Sequence, residues 1–174
     1  MVLMSRFFLT LCTVFAFAAP ALAQRNDNQI LMMGVGVDHV VAGIDSRAGD
    51  RAAYLSLEYG TEVWIDRIDL RGRIGTDLSP YGAWVGAGSS LEFDLFDTPL
   101  YLEGSVLPGV WADLNPNYDM GHWVQFRSQV GLGWHLDDDS SLHLGLSHKS
   151  NANIPGSTTN PGLETLQLRY TLSF

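Results

Sequence analysis

Residues 144–174 read LGLSHKSNANIPGSTTNPGLETLQLRYTLSF, and the parity of this stretch decides the fold. Counting in twos back from Ser150 gives His148, Leu146, Leu144 and Leu142; counting forward from Glu164 gives Leu166, Leu168, Tyr170, Leu172 and Phe174. The positions between them are His143, Gly145, Ser147 and Lys149 on one side, and Thr165, Gln167, Arg169, Thr171 and Ser173 on the other. Strand side chains alternate faces with period two, so both segments are strands with one apolar and one polar face. A hydroxyl, an imidazole and a carboxylate share the apolar face, where each costs free energy unless it is paired.

The same alternation recurs upstream. Val124, Phe126, Val130, Leu132, Trp134 and Leu136 oppose Gln125, Arg127, Gln129, Gly131, Gly133 and His135, while Leu102, Val106 and Val110 oppose Glu103 and Ser105. Eight strands are predicted, near 30–41, 51–60, 63–74, 81–95, 99–110, 122–136, 141–150 and 164–174. The connections after the first, fifth and seventh are long, at 42–50, 111–121 and 151–163, whereas those at 97–99 and 137–140 are short. Long outer loops alternating with short periplasmic turns are the pattern of an outer-membrane barrel.

The N-terminus agrees with that address. Arg6, the apolar run 7–19 and then Ala21-Leu22-Ala23 make a secretory signal peptide, cleaved after Ala23. The expected mature chain, 24–174, is one domain: an all-β, eight-stranded antiparallel transmembrane barrel. The only cysteine of the full sequence, Cys12, leaves with the signal, which excludes disulfides, thiolate metal sites and a cysteine nucleophile from the mature chain. The 10 basic residues less Arg6 set against 19 acidic ones leave 9 − 19 = −10, the wrong sign for a nucleic-acid partner. No later stretch approaches the roughly 20 apolar residues of a membrane helix, so any span must be a closed barrel. An eight-stranded barrel is filled by its own side chains, which argues against a pore.

Across a hairpin about 151–163, His148 and Ser150 come near Glu164 or Leu166, depending on register. Nucleophile, base and orienting carboxylate are the parts of a hydrolytic triad. Polar residues at the rim of the apolar band are the other reading that parity allows.

The residues around them resemble a known family. His148-Lys149-Ser150-Asn151-Ala152, followed by Asn160-Pro161-Gly162-Leu163-Glu164, is similar to the signature of the PagL-type lipid A 3-O-deacylases, H-x-S-N-A and then N-P-G-x-E on the last hairpin; Gln125-Phe126-Arg127-Ser128 is similar as well. The resemblance implies an outer-membrane esterase acting on lipid A, or lipopolysaccharide, in the outer leaflet. Ser150 would be the nucleophile, His148 the general base and Glu164 the group that orients it. It further implies an oxyanion hole from Asn151 and the backbone N–H of Asn153, a position where the family commonly carries Gly. The loop before Glu164 is about two residues longer than the family pattern. No metal or organic cofactor is implied, and a homodimer is left open.

Three rivals remain at this stage: a non-enzymatic structural barrel, a lipid A acyltransferase barrel, and a soluble periplasmic barrel with an apolar ligand. His39, His122, His135 and His143 lack metal spacing. Trp64, Trp84, Trp123 and Trp134, with Tyr101 and Tyr170, are the expected aromatic girdles.

Overall fold

The computed structural model describes residues 29–40 and 51–174. The expected signal peptide and its cleavage point lie outside the described residues. Eight strands follow in chain order: β1 (Ile30–Asp38), β2 (Ala53–Ile65), β3 (Leu70–Leu78), β4 (Gly82–Asp94), β5 (Leu100–Asp113), β6 (Val124–His135), β7 (Ser140–Ser150) and β8 (Leu163–Ser173). Each pairs antiparallel with its neighbour, and β8 pairs with β1, closing the barrel. Gln29 and Phe174 exchange backbone hydrogen bonds at 3.2 and 2.9 Å beyond the last ladder rung. Closure removes the edges that lipid cannot satisfy.

Apolar residues on every strand face outward, among them Val35, Leu57, Ile74, Val85, Val106, Val130, Leu144 and Leu168, each 40% exposed or more. A continuous belt of this kind around a water-soluble protein would be a single aggregation surface; here it is the lipid contact. No helix among the described residues is long and apolar enough to cross a membrane.

The interior is packed with charge. Arg73 meets Glu103 at 2.8 Å, Arg127 meets Glu58 at 2.9 Å and Asp77 at 2.7 Å, Lys149 meets Asp77 at 2.8 Å, and Arg169 meets Glu103 at 2.6 Å. All these side chains are buried, and each charge is compensated, as low-dielectric burial requires.

Two readings from the sequence need correction. The β2–β3 turn lies at Asp66-Arg67-Ile68-Asp69, not near Thr61: β2 runs on to Ile65 through register shifts after Gly60 and Val63, and the chain reverses in a 3₁₀ turn that ends with Asp69 at φ 39°. Consequently β3 reaches Leu78, and the loop expected from Gly75 shrinks to a tight outer turn at Ser79, Pro80 and Tyr81, closed by Ser79 and Gly82. Trp84 and Tyr101 are also not girdle residues. Each is 1% exposed and points into the lumen, whereas Trp64, Trp123 and Trp134 are more than half exposed. Glycines explain the room for Trp84, since a Cβ at Gly109 would come within 2.6 Å of its indole. Tyr101 has the lumen parity of Glu103, and its hydroxyl bonds Ser141 at 2.9 Å.

Candidate active site

The β7–β8 register makes His148 and Glu164 direct cross-strand partners. Their side chains meet on the outward face, with His148 Nδ1 2.9 Å from Glu164 Oε1. The imidazole is 43% exposed and the carboxylate 11%, so the ring is accessible from the lipid side while its partner is held at the wall. An Nδ1–H donated to the carboxylate leaves Nε2 as the free acceptor of a neutral imidazole.

Ser150 is the last residue of β7. The β7–β8 ladder stops at Lys149–Leu163, so Ser150 has Phe126 of β6 beside it and the open mouth of the hairpin on its other side. It shares the face of His148 two positions away. Their side chains are not hydrogen-bonded to each other in this structure, a looseness common in substrate-free sites. The hydroxyl, imidazole and carboxylate thus share the outward face at the outer end of β7 and β8.

The loop that follows is built by its own side chains. Ile154 N–H bonds Asn151 O at 3.1 Å across Ala152 and Asn153, whose φ values are 53° and 52°. Two successive left-handed residues make a type I′ turn. A Gly would adopt this geometry without strain, and Asn is among the few other residues that tolerate it, which accounts for Asn153 in that place.

The two expected oxyanion donors are already committed. Asn151 is fully buried; its Nδ2 donates to Met120 O at 2.9 Å and to Thr159 O at 2.6 Å, and its N–H donates to Asn160 Oδ1 at 3.1 Å. Asn153 N–H donates to Asn151 Oδ1 at 2.9 Å. Asn151 is therefore the keystone of the loop, and the expectation that it and Asn153 present free donors does not hold for this arrangement. The intervening Ala152 is exposed, and its N–H has no acceptor among the described residues.

Several contributors were invisible to motif reading. The 114–123 connection clamps the site: Tyr118 Oη donates to Gly162 O at 3.0 Å, and Thr158 N–H donates to Gly121 O at 3.0 Å. Tyr118 packs in a cluster with Tyr81, Trp84, Leu107, Trp111, Met120 and Leu163 under the outer loops. His39 stands edge-on to Tyr81 and Tyr118, at centroid distances of 4.7 and 5.4 Å. Burial lowers its pKa from the ordinary value, against the opposing pull of Asp38 and Glu164. These contacts join residues far apart in the chain, so no local pattern announces them. Asn160 and Gly162 did carry a signal, as members of the N-P-G turn. Gly162 has φ 73°, and a Cβ there would lie 3.0 Å from His148 Cε1 and 3.4 Å from Glu164 Oε1. Among the described residues there is no group of His, Cys, Asp and Glu side chains that would hold a metal ion.

Comparison with known proteins bears on this geometry. The chain is 28% identical over 142 residues to the lipid A deacylase PagL of Bordetella bronchiseptica, covering 72% of this chain and 79% of that one. In structure it is similar to the outer-membrane enzyme PagL (TM-score 0.62, 15% identity, 83% of this chain and 99% of that one) and to Neisserial surface protein A (TM-score 0.58, 12% identity, 84% and 97%), both likenesses of fold. The family model for lipid A 3-O-deacylase (PagL) matches residues 42–173, most of the chain. A match of that extent, laid over a closed barrel with its His–Glu pair at the lipid-facing rim, makes this outer-membrane chain a member of the lipid A 3-O-deacylase family.

Proposed function

We propose that Ser150, His148 and Glu164 carry out the family's hydrolysis of the acyl ester at position 3 of lipid A. His148 Nε2 takes the proton of the Ser150 hydroxyl as Oγ attacks the ester carbonyl carbon. The tetrahedral intermediate collapses, the C–O bond to the sugar breaks, and the imidazolium returns the proton to the leaving alkoxide. Water then attacks the acyl-enzyme with His148 again as base, which releases the fatty acid and restores Ser150. Glu164 holds the ring by its Nδ1–H and stabilises the imidazolium. The Ala152 N–H, free and next but one to the nucleophile, is the donor best suited to the oxyanion.

The observation that carries this reading is the 2.9 Å His148–Glu164 contact on the lipid-facing side of the wall. Everywhere else that side is mainly apolar, and a paired imidazole and carboxylate there serve chemistry at the leaflet, not packing. Position supports the substrate: the outer end of β7 lies level with the leaflet that holds lipopolysaccharide, and an ester reaches Ser150 laterally without entering the charged lumen. All three groups come from one hairpin, so a monomer suffices; a homodimer is compatible with the scheme.

The test is mass spectrometry of lipid A from cells that express the chain. Loss of one 3-hydroxyacyl chain is expected with the wild type, no loss with folded Ser150→Ala, and a smaller rate defect with Glu164→Ala than with His148→Asn. A gained chain would indicate acyl transfer. Undiminished activity in Ser150→Ala, with heat-modifiable gel mobility intact, would overturn the assignment.

A further inference from the structure

Ser128 on β6 is the cross-strand partner of His148, on the side opposite Glu164. Its parity is outward and it is exposed. Its hydroxyl makes no hydrogen bond to any described residue. The rung below is Val130 opposite Leu146, 60% and 41% exposed, and its other neighbour in the row is Val106, 56% exposed. An unpaired hydroxyl set into this apolar wall lacks the structural partner that burial in lipid calls for. Thr76, by comparison, also faces out but donates to Trp84 O at 3.0 Å. Ser89 is in the same row as Ser128 but two strands further from the hairpin, too far for contact with a group at Ser150.

The register also fixes how far Ser128 is from the reacting atoms. Ser150 pairs with Phe126, so Ser128 is its diagonal neighbour, with a Cβ separation somewhat under about 7–8 Å. An acyl group on Ser150 Oγ has its carbonyl carbon one bond away and its third carbon two bonds beyond. A hydroxyl on that third carbon, with one hydrogen bond to Ser128 Oγ, spans such a gap. We infer that Ser128 is a specificity-determining residue whose hydroxyl hydrogen-bonds the 3-hydroxyl of the acyl chain delivered to Ser150. The enzyme thereby prefers 3-hydroxyacyl esters to unsubstituted ones. A chain without that hydroxyl leaves the serine unpaired in an apolar setting, and this loss is what discriminates.

The inference rests on Ser150 as nucleophile, whose own failure would show separately as activity persisting in Ser150→Ala. The probes are two glucosamine 3-O-esters of equal chain length in detergent micelles, one 3-hydroxylated and one not. Ser128→Ala should lower kcat/KM for the hydroxylated ester about tenfold and leave the other within about twofold, while Ser128→Thr, which keeps a hydroxyl, should retain most of the preference. Equal losses on both esters would mean that Ser128 acts through His148 or the fold and would overturn the inference. So would an unchanged Ser128→Ala, or a wild type with no preference.

Discussion

Substituting Gly162 by Ala tests whether the N-P-G turn sets the geometry of the His–Glu pair. Two costs can be worked out. The left-handed backbone at φ 73° penalises any L side chain, by about 1 kcal/mol. The new methyl also lies 3.0 Å from His148 Cε1 and 3.4 Å from Glu164 Oε1, so the ring or the carboxylate must yield by a few tenths of an ångström. A displacement of 1 Å in a catalytic group costs about 100-fold, so a few tenths should cost about three- to tenfold in kcat. Gly156→Ala is the matched control. Its φ of 96° carries a comparable backbone penalty, but the nearest atoms, in His122, are 3.9 Å away. Fatty-acid release from detergent-solubilised enzyme gives kcat, and urea unfolding gives stability. Both variants should lose about 1 kcal/mol, and only Gly162→Ala should lose rate as well. Wild-type kcat in Gly162→Ala, or an equal rate loss in Gly156→Ala, would refute the argument.

Two further outcomes follow from the buried charges and the outer clamp. Arg169 joins Glu103 at 2.6 Å, Glu58 at 3.3 Å and His143 at 2.9 Å inside the lumen; Arg169→Met takes one cationic partner from each carboxylate while Arg73 and Arg127 remain, and should cost about 1.5–3 kcal/mol in urea unfolding, with kcat of the folded fraction unchanged. His39 has its pKa lowered by burial against the tyrosines, so the unfolded chain binds the proton more readily: the stability it contributes is present above its ordinary pKa of 6.5 and is lost as pH falls below it. The thermal midpoint should therefore drop between about pH 7.5 and 5.5, and drop less in His39→Asn, which also tolerates the φ of 59° at that position; equal drops would remove His39 from the account.

The placement of the candidate residues on the last hairpin was legible because it is local. His148 and Ser150 are two apart on one strand, Glu164 continues the parity of Leu166 and Leu168, and a short motif on either side of one loop names all three. Strand number, closure and the lipid-facing side were legible for the same reason, since a period of two needs only near neighbours in the chain. The places where that reading went astray are those where parity is interrupted or satisfied elsewhere. The bulges after Gly60 and Val63 moved a turn by several residues, and a glycine-lined interior drew in Trp84 and Tyr101, which composition alone had placed in the girdles.

Sequence alone therefore determined an eight-stranded barrel that carries a serine, a histidine and a glutamate on one face of its final hairpin. Tertiary structure decided the rest. It brought His148 opposite Glu164, not Leu166, because the ladder register is set by the whole closed sheet. It committed Asn151 to Met120 and Thr159, and it placed Tyr118, with His39 packed on it, against the hairpin from more than 30 residues away. Hydrogen bonds and ring contacts between loops depend on where closure brings their ends, and no repeat along the chain encodes that meeting point.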